Sequence, residues 1–215
     1  MYQTAINILK KIKELGYNGY IIGGYPRDTY LGITNSDIDI CSNIKESTLK
    51  ENFNVIKSTN FGSFIILENN YNYEITLFRN EIYKDNRYPI ITYVDTLEED
   101  IKRRDFTINT LCIDYNGNYV DLMNARKDIN NKIIKVVGSI DKKIKEDPLR
   151  IIRAIRFSSD LNFNIEEDLK KYIINNKEIL NNLTKSRIDK EIKKVKNKTN
   201  FYNLIKILDL EKYIK

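Results

Sequence analysis

No histidine occurs among the 215 residues, so imidazole acid–base catalysis and histidine metal sites are excluded at the outset. Only Cys41 and Cys112 carry thiols, and each lies inside an apolar, strand-like stretch. That placement fits reduced core thiols rather than a disulfide framework or a cysteine zinc site. Apolar runs long enough to span a bilayer are missing, and the N-terminal MYQTAINILKKIKEL lacks the uninterrupted apolar core of a signal peptide. A cytosolic protein with no membrane partner is the expectation. Beyond residue 142 glycine and proline nearly vanish, which favours continuous helix in that part of the chain.

What is there suffices for a real core. Apolar residues make up 41% of a length that suits one or two domains. The net charge of +6 is unevenly placed: residues 141 to 215 hold 19 Lys and Arg against 12 Asp and Glu, while the remainder holds 17 against 18. A solvated basic face is one reading of the C-terminal excess, and contact with a polyanion such as RNA is the other.

Local patterns then place elements along the chain. Ile6, Leu9, Ile12 and Leu15 recur at helical spacing before Gly16. GYIIGG reads as a buried strand entering a turn, SDIDIC as a second strand, residues 47 to 53 as a short helix, and NVIKST as a third strand. GSFIILENNYNYEITLF predicts a hairpin turning at Asn-Asn, and LCIDYNGNYVDL another, with Asn116-Gly117 expected to supply positive φ angles. Between them, RNEIYKDNRYPIITYV reads as a mobile loop returning to extended chain. The change from mixed patterns to helical ones predicts a head over residues 1 to 138 and a helical segment over 139 to 215.

Four stretches carry candidate chemistry. In SDIDI a strand would put Asp37 and Asp39 on one face and Ile38 and Ile40 on the other. Neighbouring carboxylates repel, and a divalent cation relieves the repulsion; surface strands also contain this spacing without function, so the pair alone leaves both readings open. GGYPRD places Gly24 and Arg27 where backbone and guanidinium would meet phosphate, or forms a plain turn with Arg27 paired to Asp28. RRDFTIN would open a helix with Asp105 and Asn109 on one face at i, i+4 spacing, or be a capped helix start with a surface charge pair. EDPLRIIRAIRF spaces Asp147, Arg150, Arg153 and Arg156 three residues apart along a helix whose packing face is Leu149, Ile152 and Ile155. Such a stripe is either solvated or meets phosphate.

In this order and spacing, GGYPRD, SDIDI, RRDFTIN and EDPLRIIRAIRF resemble the signature motifs of class II tRNA nucleotidyltransferases, the bacterial CCA-adding enzymes, and of their relatives the bacterial poly(A) polymerases. The resemblance covers residues 19 to 163. It implies an α+β fold: a polymerase-β-like nucleotidyltransferase head with a mixed sheet and flanking helices, followed by an all-helical neck. It also implies that Asp37 and Asp39 hold two catalytic Mg²⁺ ions, with Glu74 in YEITLF a candidate third carboxylate. Gly24, Arg27 and Arg104 would contact the incoming triphosphate, and Asp105 and Asn109 the ribose. Asp147 and Arg150 would read the base, with Arg153 and Arg156 supporting nucleotide and primer end. CTP and ATP would be the substrates and the tRNA 3′ end the acceptor.

YKDNRYP, residues 83 to 89, resembles the flexible loop that CCA-adding and A-adding members possess and CC-adding members lack. LTKSRIDKEI, residues 183 to 192, is similar to the family's neck motif, with Ser186 where an acidic residue is common. Tyr25-Pro26 stands where relatives carry small or aliphatic residues, and the proline removes one amide from the expected phosphate cradle. The body and tail domains that relatives use to grip tRNA do not follow in this sequence. A fragment, a compact enzyme, or one completed by a partner or a second copy are the alternatives. A-only addition, poly(A) synthesis and a non-catalytic RNA-binding module are the competing functions, and intact Asp37, Asp39 and Arg150 disfavour the last.

Overall fold

The apolar repeat near the N-terminus forms α1 (Tyr2–Glu14), which buries Ala5, Ile6, Ile8, Leu9 and Ile12 and ends as Gly16 turns the chain at φ 87°. Lys11 and Lys13 sit in its last turn, where positive charge suits the helix dipole. β1 (Gly19–Ile22) runs close beneath it, because a Cβ on Gly19 would lie 3.1 Å from Leu9 Cδ2. The computed structural model describes residues 1–83 and 89–214. The chain forms two compact units, the first made of Met1–Ile82, Ile90–Arg104 and Ile108–Arg126, the second including Asp105–Thr107 and the chain from Lys127 onward.

In the first unit β1 is followed by α2 (Gly24–Tyr30), β2 (Asp39–Ser42), α3 (Glu46–Asn52), β3 (Val55–Ser58), β4 (Ser63–Glu68), β5 (Tyr71–Leu77), β6 (Arg79–Ile82), β7 (Ile90–Tyr93), α4 (Leu97–Lys102), β8 (Cys112–Ile113) and β9 (Tyr119–Val120). One seven-stranded sheet runs in the order β3-β4-β5-β2-β1-β8-β9, with β2 and β5 parallel and the other neighbours antiparallel, so the sheet is mixed as expected. Strand alternation gives it two apolar faces. Ile38, Ile40, Phe64, Tyr73 and Ile75 join the α1 side, whereas Ile22, Cys41, Phe78 and Cys112 pack with Leu97 and Ile101 of α4. Each fully buried side chain of this size stabilises the fold by roughly 1.5–3 kcal/mol. Cys41 and Cys112 are buried and free on strands that flank β1. Two strand spacings, about 9–10 Å, exceed the reach of a disulfide.

Turn chemistry settles the hairpins. Asn69 and Asn70 both take left-handed φ, 50° and 65°, so β4 and β5 turn as the Asn-Asn pair predicts. At the second hairpin only Gly117 does so (φ 84°), and the Asp114 carboxylate accepts the N–H groups of Asn116 (2.9 Å) and Asn118 (2.8 Å). A side-chain-supported turn replaces the expected pair of positive angles. The expected return to extended chain is β7, and it pairs antiparallel with β6, which takes the place of the expected start of the loop. The centre of the proposed flexible loop, residues 84 to 88, lies outside the described residues.

α5 (Ala125–Asn130) leads into the second unit, which contains β10 (Ile133–Ile134), α6 (Ile140–Glu146), α7 (Leu149–Leu161), β11 (Asn164–Ile165), α8 (Glu167–Asn175), α9 (Lys185–Ile192) and α10 (Lys198–Ile207). The division between units falls within α5, and Gly138, where the sequence changes character, lies inside the second unit. A two-residue parallel pairing of β10 with β11 interrupts the helices. α7 is the central element: Ile151, Ile152, Ala154 and Ile155 are fully buried, α9 and α10 pack on it, and Asn162 ends it in the left-handed region. Among the described residues no helix is long and apolar enough to cross a membrane.

Candidate active site

β2 begins at Asp39, so Asp37 precedes the strand instead of lying within it. Ile22 is the last residue of β1 to pair with β2, opposite Asp39, and Gly23 (φ 88°, ψ −129°) then turns the chain away, leaving Asp37 no ladder partner on that side. The alternation survives all the same. Ile38 and Ile40 are buried while Asp37 is exposed and Asp39 half-buried, so both carboxylates face away from the α1 core. Glu74 of β5 stands opposite Asp39 in the parallel register. Burial first, and then the charges of Asp37 and Glu74, push Asp39 up to about 6, against a lowering pull from Arg104.

Negative charge is therefore under-compensated here. Hard oxygen donors in that condition fit Mg²⁺ or a similar divalent cation, with Asp37 and Asp39 the residues to hold it. Glu74 does not complete a compact set: among the described residues no three His, Cys, Asp or Glu side chains cluster closely enough to bind a metal.

The glycine pair borders this site. A Cβ on Gly23 would lie 3.6 Å from Asp39 Oδ2, and one on Gly24 would lie 3.4 Å from Asn35 Nδ2. Of the two readings of GGYPRD, the plain turn holds only in part: Arg27 does pair with Asp28, but Gly24 opens α2, with Pro26 in its first turn, where a missing N–H does no harm. Arg27 is buried; its Nε donates to Asp28 Oδ1 (2.7 Å) and its Nη1 to Asn109 Oδ1 (2.6 Å). Asn35, which sequence reasoning missed, donates to Asp28 Oδ2 (2.7 Å) and accepts the Asp37 N–H (2.9 Å), tying the α2 network to the carboxylate segment.

RRDFTIN does not open a helix. Arg103 and Arg104 follow the end of α4, and only a three-residue 3₁₀ turn, Thr107–Asn109, comes after. The main chain is occupied otherwise: Thr107 N–H donates to Lys135 O (2.9 Å), Val137 N–H donates to Asp105 O (3.0 Å), and Phe106 bridges to Val136. Extended pairing wins over helix, so Asp105 and Asn109 do not share a helical face. Asp100, fully buried, accepts from Arg103 Nε (2.9 Å), Arg104 Nη2 (3.1 Å) and the Arg79 N–H (3.2 Å). Its i, i+3 and i, i+4 spacing to the two arginines was the missed signal. Burial pushes the nearby Cys41 thiol up to about 12, so it stays protonated and inert.

In the second unit the arginine stripe is paired, not solvated. Arg150 is buried, and its Nη1 donates to Lys143 O (2.7 Å) and Glu146 Oε2 (3.1 Å). Arg153 Nε donates to Asp105 Oδ2 (2.8 Å). Arg156 Nε donates to Glu191 Oε1 (2.6 Å), and its guanidinium covers the Phe157 ring at 4.1 Å. Asp147 caps the end of α6; its Oδ1 accepts the Leu149 N–H (3.0 Å) and Arg187 Nη2 (2.9 Å). Burial opposes the ionisation of Glu191, yet Arg156 and Arg153 outweigh it and hold the carboxyl below the usual glutamate range. Arg187 and Glu191, one turn apart on α9, carry charges opposite to those they meet. That complement was legible in LTKSRIDKEI only once α7 and α9 were known to be neighbours.

The Poly A polymerase head domain description matches residues 19–135. The CCA-adding enzyme of Ligilactobacillus salivarius (strain UCC118) is 39% identical over 217 residues, covering 99% of this chain and 54% of that protein. The chain belongs to the Poly A polymerase head domain family. Its fold agrees with solved members: the Bacillus stearothermophilus CCA-adding enzyme in complex with CTP superposes with TM-score 0.82 at 32% identity, covering 90% of this chain and 48% of that one. The Thermotoga maritima CCA-adding enzyme complexed with tRNA gives 0.80 at 25% identity over 97% of this chain and 50% of that one. The chain thus spans about half the length of the curated relatives it matches. The matched family span includes Gly24, Arg27, Asp37, Asp39, Glu74, Arg104, Asp105 and Asn109; Asp147, Arg150, Arg153 and Arg156 fall beyond it.

Proposed function

We propose that the chain is a template-independent RNA nucleotidyltransferase that adds C and A to tRNA 3′ ends from CTP and ATP, with release of pyrophosphate, by means of a catalytic head over residues 1–138 and a recognition neck over 139–215. The observation that carries this reading is the pair Asp37 and Asp39 facing one side, with Asp39 raised to about 6 by burial and by its acidic neighbours. In the reaction the RNA 3′-hydroxyl gives up its proton to solvent, its oxygen forms a bond to the α-phosphorus, and the bond from that phosphorus to the bridging α–β oxygen breaks as pyrophosphate leaves. Mg²⁺ held by Asp37 and Asp39 would supply Lewis-acid neutralisation of the charge that develops at phosphorus. Arg104, steadied by Asp100, lends positive charge beside those carboxylates. Gly23 lets the backbone lie against Asp39 without a side chain between, and Gly24 does the same beside Asn35 and Arg27.

Base choice would fall to Asp147 and Arg150. Cytosine and adenine each offer an exocyclic amine donor beside a ring-nitrogen acceptor, which an accepting carboxylate and a donating guanidinium satisfy. Uracil and guanine reverse that pattern and leave the groups unpaired, at about 1–3 kcal/mol per buried group. No nucleic-acid template is then required. Arg153 and Arg156, anchored by Asp105 and Glu191, would support the nucleotide and the primer end.

The deciding experiment supplies Mg²⁺, labelled CTP or ATP, and tRNA transcripts lacking CCA, ending in CC, or complete. Addition of two C and one A with no further growth supports the proposal. The family's own description favours one second reading, polyadenylation, which growth on generic RNA with ATP alone would establish.

A further inference from the structure

Asp147 sits at a sharp junction: it closes α6 with extended backbone (φ −150°, ψ 99°), and Pro148 immediately starts α7. The terminal torsion of an aspartate is broad, so a single hydrogen bond leaves its carboxylate plane free to rotate. Here two donors from different elements converge on one oxygen. Oδ1 accepts the Leu149 N–H at 3.0 Å, an amide that the helix start would otherwise leave unpaired, and Arg187 Nη2 from α9 at 2.9 Å. Oδ2 carries neither bond. Both side chains remain open to ligand, with exposures of 21% for Asp147 and 37% for Arg187.

We propose that Arg187 is a specificity-determining positioning residue: by fixing Oδ1 of Asp147 it presents Oδ2 as the acceptor for the exocyclic amine of the incoming base. This rests on the reading of Asp147 as a base-selecting group. A guanidinium suits the task because its planar fork sets direction as well as charge, which a lysine ammonium does not. α9 does not depend on this bond to stay docked. One turn later Glu191 holds Arg156 and lies 3.7 Å from Arg153 Nη1, and Ile188 between them is buried. Loss of the Arg187 guanidinium therefore removes orientation while the helix keeps its place.

The test is nucleotide binding to the whole chain in Mg²⁺, titrating CTP, ATP, UTP and GTP separately, with thermal midpoints recorded in parallel. Arg187→Met should weaken CTP and ATP and leave UTP and GTP unchanged, lowering the preference about tenfold, the size of one charge-assisted hydrogen bond. Arg187→Lys should fall between Arg187→Met and wild type, and it serves in place of Arg187→Met if that variant fails to fold. An unchanged C and A preference in the folded variant overturns the proposal, as does an equal weakening of all four nucleotides with a lowered midpoint, which is the mark of a merely structural role. Asp147→Ala separates the two levels. If it too leaves preference intact, base reading by Asp147 fails; if it abolishes preference while Arg187→Met does not, only the positioning role fails.

Discussion

Two charge clusters, one in each unit, behave in opposite ways. In the first, Asp39 feels burial and the charges of Asp37 and Glu74 with only partial relief from Arg104, and so resists ionisation. In the second, each arginine of the α7 stripe has a carboxylate of its own: Arg150 has Glu146, Arg153 has Asp105 and Arg156 has Glu191. Unrelieved charge marks a site completed from outside, whereas internally paired charge marks a scaffold held ready before any ligand arrives.

The largest effect that tests this contrast is catalytic. Asp37→Ala or Asp39→Ala should lower nucleotide incorporation on the order of 10³-fold or more, since several kcal/mol of charge stabilisation go with the metal, while circular dichroism stays unchanged. Retained incorporation in either variant removes the carboxylates from the mechanism.

The same carboxylate should behave inversely toward stability. Asp39 titrates higher in the folded chain than its ordinary 3.8, so the native state holds the extra proton between pH 3.8 and about 6, and stability falls as pH rises through that window. The gap corresponds to up to about 3 kcal/mol. In EDTA, Asp39→Asn should therefore be more stable than wild type above pH 6, with the difference vanishing near pH 4; urea unfolding across pH measures it. Added Mg²⁺ should stabilise the wild type and not the variant. A variant less stable than wild type at neutral pH would mean that the charge is already neutralised internally.

The second unit should respond the other way. Glu191→Ala removes a buried carboxylate from the partly exposed Arg156 and Arg153 and should destabilise the chain by about 2–3 kcal/mol in urea at pH 7. Because the Glu191 carboxyl is held below the ordinary glutamate range, its contribution is present at neutral pH and lost as pH falls below that range. The wild-type advantage over the variant should shrink in acid, opposite in sense to Asp39.

Sequence patterns reached the parts governed by local rules. The facing of Ile38 and Ile40 against Asp37 and Asp39 and the Asn69-Asn70 turn each follow from neighbours within a few residues and stand as read, whereas the packing face of α7 is read only in part: Ile152 and Ile155 are buried, Leu149 is half-buried, and Ile151 and Ala154 are buried although they lie outside the expected stripe. Errors cluster where a distant segment competes for the main chain. Phe106 and Thr107 pair with the stretch around Val136 instead of extending a helix, and Asp37 leaves the strand because β1 ends opposite Asp39. Partnerships between remote side chains were out of reach for the same reason: Arg27 with Asn109, Arg153 with Asp105, and Asp147 with Arg187 join residues that spacing alone does not connect.

The smallest effect belongs to Ser186, exposed in the first turn of α9, where the sequence carries a hydroxyl instead of an acidic group. If the second unit is held by its internal ion pairs, surface charge there adds little. Ser186→Glu puts a negative charge near the helix N-terminus and four residues before Lys190, and should raise stability by about 0.5 kcal/mol at low salt. Screening should erase the gain at about 1 M salt, where the Debye length shrinks to about 3 Å. A gain that survives high salt, or one as large as the Glu191→Ala loss, would place the new carboxylate in a protected pairing. The second unit would then hold an unrelieved positive charge of its own, and the contrast with the first would no longer stand.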